Sequence, residues 1–258
     1  MKPPPRVKIL VLALLGLLLA PWGPASPESP TDPADAILSS PTLDYSQAQR
    51  ALALLEGLIP SPGPARPRLL ARLARCCFIL GDLAEKKDLR QQSYEKGRTY
   101  AEMLLKEEPG GVAGHYWLAL NLAGLADVGG AWQGRSLLPR ILEELNRSLA
   151  LDEAYDQAGA HRVLGRIYFE APGPPFSVGD LDKSLNHLSA AVRLAPECST
   201  NHLYLAETLL RLHLDDPTPA RRELEQVLTS TRPAVHPRGL EEDRQEARRL
   251  LAELGEKN

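Results

Sequence analysis

Cysteine is scarce in this chain, with three among 258 residues: the neighbours Cys76 and Cys77, and the distant Cys198. Adjacent side chains on a helix diverge by about 100° and cannot bridge each other, so buried thiols are expected rather than a disulfide framework. The CxxC spacing of a redox pair or zinc knuckle is missing, as are HExxH, GxSxG, a Walker loop and a GxGxxG turn. These gaps leave no zinc, nucleotide or nucleophile constellation on which to build an enzyme, so neither catalytic residue nor cofactor is assigned. Aromatic residues make up only 5% of the chain, and the formal charge is −3. Without a basic stripe interleaved with aromatics, nucleic acid is excluded as the main partner. Sustained alternation of apolar and polar residues is absent too, which excludes a half-buried sheet.

What the chain does have begins with export. Lys2, Arg6 and Lys8 precede an apolar run from Ile9 to Ala20, followed by Gly23-Pro24-Ala25. The run is short for a membrane span and reads as a secretory signal cleaved after Ala25, residues 1–25. An uncleaved signal anchor, tethering the domain to the inner membrane, is the alternative. Without residues 1–25 the chain loses three bases and no acid, so its formal charge becomes −6. Residues 26–35, Ser-Pro-Glu-Ser-Pro-Thr-Asp-Pro-Ala-Asp, lack apolar periodicity and read as a flexible leader.

From Ala36 to residue 258 the apolar spacing is helical, which predicts an all-α domain. His115 with Leu118, Ala119 and Leu122 shares a template with His161, Leu164, Gly165 and Tyr168, and with His202, Leu205, Ala206 and Leu209. Leu70, Leu73, Ala74 and Cys77 fit once more. Second helices follow: Ala48, Leu52, Leu55 and Pro60; Gly97, Ala101, Leu104 and Pro109; Ser184, Leu188, Ala191 and Pro196. Ile141, Leu145 and Ser148 fit less closely, and so do Ala220, Leu224 and Val227. A small residue for close helix approach and a proline that ends the second helix make the tetratricopeptide pattern, a stack of helical hairpins. The turns inside the pairs are expected to be expanded near Glu85–Gln92, Val128–Ser136 and Ala171–Gly179, with Asp180 as the N-cap of the next helix. Residues 240–254 place Leu240, Ala247, Leu250, Leu251 and Leu254 on one stripe and charge on the rest, as a capping helix requires.

His161 to Tyr168, the loop from Ala171 to Asp180, Lys183-Ser184-Leu185, Leu194-Ala195-Pro196 and the run Asn201 to Glu207 resemble the T-component (TatT) family of TRAP transporters, most strongly over residues 150–212. The resemblance implies a periplasmic tetratricopeptide-like protein working beside a solute-binding protein, and it is compatible with a cyclic homo-oligomer. Many members are lipoproteins; this chain has no cysteine at the signal junction.

The repeated histidines occupy one slot in successive hairpins, about 10 Å or more apart, too far to share a metal ion. They read as packing residues, and His187, His213 and His236 show no ligand spacing. The concave face remains as the binding surface, with Tyr116, Leu120, Arg162, Arg166, Phe169, Glu170, Leu203, Glu207 and Arg211 expected on it. Arg162 and Arg166, one turn apart, either clasp a partner's carboxylate or pair internally with Glu170 and Glu207. Phe176 at the loop tip is either a binding anchor or a wedge between repeats. The leading expectation is a non-enzymatic periplasmic adaptor that binds another protein, plausibly a solute-binding protein. The alternative is a carrier of a small apolar or acidic ligand.

Overall fold

Among the described residues, apolar residues three and four positions apart produce ten helices and no strand forms. The structure is a computed structural model that describes residues 32–59, 63, 65–212 and 215–256. The signal segment 1–25, residues 26–31 of the leader, Pro60 and His213 lie outside the described residues.

The helices are α1 (Pro33–Leu38), α2 (Tyr45–Glu56), α3 (Arg66–Leu83), α4 (Lys87–Glu107), α5 (Val112–Leu151), α6 (Tyr155–Glu170), α7 (Leu181–Leu194), α8 (Ser199–Leu212), α9 (Thr218–Thr229) and α10 (Pro237–Glu256). α1 therefore takes in the last three residues of the segment expected to be a leader. Consecutive helices pack as hairpins, α1 on α2, α3 on α4, α6 on α7 and α8 on α9, while α10 lies on α8 and α9.

Local chemistry sets the boundaries. Asp44 caps α2, its side chain accepting the Gln47 N–H at 2.7 Å while the Gln47 side chain accepts the Asp44 N–H at 3.0 Å. Asp180 caps α7 in the expected way, accepting the Lys183 N–H at 3.0 Å. α4 and α7 stop just before Pro109 and Pro196.

Two of the three expected turn expansions are not loops. Residues 85–92 contribute only the short break at 84–86, because α4 already starts at Lys87. Residues 128–136 lie inside α5, which breaks at a single residue, Gly130, with φ 73° and ψ −169°. Only glycine takes this backbone conformation readily, so one residue reverses the chain. His115 and Glu144, from opposite sides of Gly130, then meet at 2.6 Å. Residues 171–180 do form the third loop.

Small residues set the interhelical distances. A Cβ at Gly97 of α4 would come within 2.0 Å of Asn121 Oδ1 on α5, and one at Gly165 of α6 within 2.5 Å of Leu188 on α7. The main core runs from α1 to α6, with Leu55, Leu73, Leu118, Leu145 and Leu164 essentially inaccessible. A smaller cluster of Leu203, Ala206, Leu224, Val227 and Ala247 joins α8, α9 and α10, with Leu250, Leu251 and Leu254 packed against it. All three cysteines are buried free thiols, and burial pushes the Cys76 thiol up to about 12, which makes it inert at neutral pH.

Candidate functional site

The first helices of the hairpins, α3, α5 up to Gly129, α6 and α8, line one groove through Phe78, Tyr116, Ile167 and Tyr204. Residues 230–236 form an irregular strap that crosses this groove before α10 begins. The groove holds the strap by its backbone. The Arg232 N–H donates to Glu197 O at 3.2 Å and Arg232 O accepts the Ser199 N–H at 3.0 Å. Gln157 Nε2 donates to Pro233 O at 2.9 Å, and the Arg75 guanidinium reaches Val235 O at 3.5 Å. Ala234 and His236 are buried, and Val235 packs on the main core. Pro233 and Pro237 carry no N–H that the groove would have to satisfy. Beside the strap a cavity of about 410 Å³ stays open between α3, α5, α6, α8 and α10.

A strained turn underlies the groove. Asp156, Gln157 and Ala158 all have left-handed φ, 50°, 59° and 58°, at a cost of roughly 1–2 kcal/mol per residue for L-amino acids. The turn aims Asp156 at the Tyr116 hydroxyl, which donates to it at 2.6 Å. It also presents Gln157 O to Arg162 and to Asn201 Nδ2, each at 3.2 Å. Arg162 further donates to Asn201 Oδ1 at 3.2 Å and to the Tyr116 hydroxyl at 3.3 Å. Burial opposes the charge of Arg162, but Tyr116, Cys198 and Asp156 around it outweigh burial and raise its pKa. Burial and the nearby Asp156 carboxylate hold the Tyr116 phenol well above its ordinary value.

The structure therefore splits the expected site residues in two. Tyr116, Leu120 and Arg162 are buried in the groove floor, and Arg162 spends its donors within the protein. Leu203 is not on the groove at all but under α10 in the smaller core, because that face of α8 meets the capping helix. Arg166, Phe169, Glu170, Glu207 and Arg211 do come together at the rim. Arg166 pairs with Glu170 at 2.6 Å and with Glu207, and lies over the rings of Tyr204 at 4.5 Å and Phe169 at 5.1 Å. Arg211 donates to Phe169 O at 2.9 Å and stacks on the same ring. Arg166 thus pairs internally with Glu170 and Glu207, whereas Arg162 meets neither and has Asp156 at 3.7 Å instead.

The model of a family described as regulator of microtubule dynamics protein 1-3 matches residues 34–173, more than half of the chain. The chain belongs to that family. This match does not support the resemblance to the transporter T-components expected for residues 150–212. No curated protein matches the sequence. Among solved structures, the crystal structure of TTC0263, a thermophilic TPR protein of Thermus thermophilus, aligns with a TM-score of 0.61 at 20% identity. The alignment covers 85% of this chain and 99% of that one, and supports the tetratricopeptide-like stack as a fold.

The family match ends inside the loop that follows α6, and this loop borders a second cavity. About 670 Å³ lies between the Gly130 break and the loop, lined by Ala123, Ala126, Leu138, Ile141, Ile167 and Phe176 among others. Phe176 is 75% exposed at its edge and is not wedged between repeats; Trp132, on α5 just past the break, is 87% exposed.

The histidine slots are packing positions, and they follow a rule that spacing alone did not show. His115 has Glu144 at Nδ1 (2.6 Å) and Pro109 O at Nε2 (3.1 Å); His202 has Glu223 (2.6 Å) and Pro196 O (2.8 Å). In each, the histidine sits six residues after the proline that ends the previous helix, a signal available in the sequence. Burial lowers the pKa of His202, but the bonds to Glu223 and Pro196 O outweigh it and leave the value raised. In the middle hairpin the partner is another histidine: His161 and His187 meet Nδ1 to Nδ1 at 3.0 Å. Burial and the neighbouring His161 lower His187 to about 4. Among the described residues no group of three or more His, Cys, Asp or Glu side chains could hold a metal ion.

Proposed function

We propose that this chain is a non-enzymatic adaptor that holds an extended segment of a partner protein in its concave groove. Hairpin stacks of this type ordinarily bind rather than catalyse. The observation that carries the reading is the strap: three of its carbonyls, at Arg232, Pro233 and Val235, are taken by donors of the groove. Main-chain recognition of this kind accepts any extended segment and leaves choice of partner to the side chains. A photo-crosslinking residue at Val163, which lines the groove, is expected to give a discrete adduct with one partner protein, and at the exposed Arg147 to give none. Equal labelling at both positions, or none at Val163, would overturn the proposal.

Two partner classes follow from different supports. A partner from the microtubule system is suggested by the family description, regulator of microtubule dynamics, on the match over residues 34–173. A periplasmic solute-binding protein rests on the resemblance of residues 150–212 and on the export expected from residues 1–25. Mass spectrometry of the Val163 adduct separates the two. A carrier of a small apolar ligand is the second reading of function, favoured by the 670 Å³ cavity with its alanine, leucine and isoleucine walls; native mass spectrometry of the purified chain would show the ligand as a bound mass that acid removes.

A further inference from the structure

The strap has a composition that its groove answers. From Thr229 to Leu240 there is no acid, while Arg232, His236 and Arg238 supply positive or ionisable groups, Pro233 fixes φ within the strap and Pro237 opens α10. Arg232 pairs with Glu197 at 3.1 Å and His236 with Asp82 at 2.9 Å. The Gly239 N–H donates to His236 Nδ1 at 3.3 Å, which leaves the Nε2 proton to be donated to Asp82.

The open cavity continues the same pattern. Asp82, Glu170, Glu242 and Asp243 line it together with the guanidinium groups of Arg162 and Arg166, and Glu242 also pairs with Arg238 at 2.9 Å. Arg162 is buried with its donors spent, and Arg166 lies between Glu170 and Glu207. Asp243 accepts the hydroxyls of Ser199 at 2.6 Å and Thr200 at 2.7 Å. A carboxylate entering here would face like charge on several sides, whereas an ammonium or guanidinium would meet carboxylates, with Phe78, Tyr116 and Tyr204 for its apolar stem.

We infer that the groove selects a basic, proline-containing extended segment of a partner protein, and that the strap is its intramolecular competitor. The inference rests on the adaptor reading and adds to it the chemistry of the partner and a mode of regulation. The incoming segment takes over the backbone donors now used by residues 232–235 and places a Lys or Arg side chain beside Asp243 and Asp82.

The test uses the full chain and a fluorescent peptide of residues 229–239, read by polarisation. His236→Ala, which loosens the strap, is expected to bind this peptide about tenfold more tightly than the unaltered chain, as the loss of a hydrogen bond to a charged group allows. Arg232→Ala, at an exposed side chain, is expected to act in the same direction with a smaller factor and keeps the test valid if His236→Ala does not fold. A peptide with its arginines changed to glutamate should bind at least tenfold more weakly, and salt should weaken the basic peptide. Equal or tighter binding of the acidic peptide would overturn the inference and leave the adaptor reading standing. Equal affinity of the basic peptide for the unaltered and both loosened chains would overturn competition by the strap. Failure of every peptide on every chain would overturn the adaptor reading as well.

Discussion

The two ends of this stack are built on different terms. From α1 to α6 the hairpins share one continuous core of leucine, alanine and aromatic side chains, with Leu73, Leu118 and Leu164 fully enclosed. From α8 to α10 the apolar cluster is small, and much of the attachment is polar: Asp243 on α10 holds Ser199 and Thr200, Arg244 donates to Ser230 O at 2.9 Å, and the strap lies on backbone bonds. Apolar burial is non-directional and tolerates rearrangement, whereas each polar contact is lost outright when its geometry opens. The end carrying the strap therefore depends more on contacts that are lost one by one.

The strongest way to break this contrast is a matched pair of core truncations. Leu118→Ala should cost about 2–5 kcal/mol of global stability, seen as a lower urea midpoint for the whole chain. Leu224→Ala, equally buried in the smaller cluster, should instead raise hydrogen exchange in α8–α10 first while α3–α6 stay protected. A single shared transition with equal losses would mean that the two ends unfold as one.

A smaller effect is expected from Asp243→Ala, which leaves two hydroxyl donors without their acceptor. About 1–3 kcal/mol should be lost, confined to exchange in α10 and the first turn of α8. Asp180→Ala, removing the cap of α7 at the junction between the two regions, should cost about 1 kcal/mol, measured by thermal unfolding, without exposing the strap.

The finest test is pH. The raised pKa of His202 means that its contact with Glu223 contributes fully below the unfolded value of 6.5 and is lost as pH rises through the folded value. His187, lowered to about 4, works the other way: its contribution is full above 6.5 and is lost as pH falls toward 4. Acidification from pH 7 to 5 should therefore protect α8–α9 and loosen α6–α7, each by no more than about 1 kcal/mol. Exchange rates moving in the same direction in both hairpins would contradict these assignments.

Much of the fold could be read in advance, and the reason is periodic. Apolar residues at helical spacing, Gly97 and Gly165 at close approaches, and Pro109 and Pro196 past helix ends are local requirements that a hairpin repeat must write into each unit. Asp180 was equally legible, since an N-cap acts within three residues. The expanded turns were misread at residues 85–92 and 128–136 because excess repeat length looks the same in sequence whether it extends a helix or a loop. At the site, the sequence put Arg166, Phe169, Glu170, Glu207 and Arg211 on one face, and in the structure they lie together at the rim. The positions of Leu203 and of residues 230–236 were not legible, because no local pattern tells which face of α8 the last helix covers.

By itself the sequence determined an all-helical tetratricopeptide-like stack, its small-residue contacts and the slot for each histidine, since these depend on neighbours within one or two turns or on a repeated template. Tertiary structure alone decided that Arg162 is buried, that His161 meets His187 through Nδ1 and Glu153 through Nε2, and that residues 230–236 lie in the groove against Asp82 and Gln157. Those contacts join residues up to 154 positions apart, and their energies come from charge, burial and hydrogen-bond geometry that exist only once the helices are stacked.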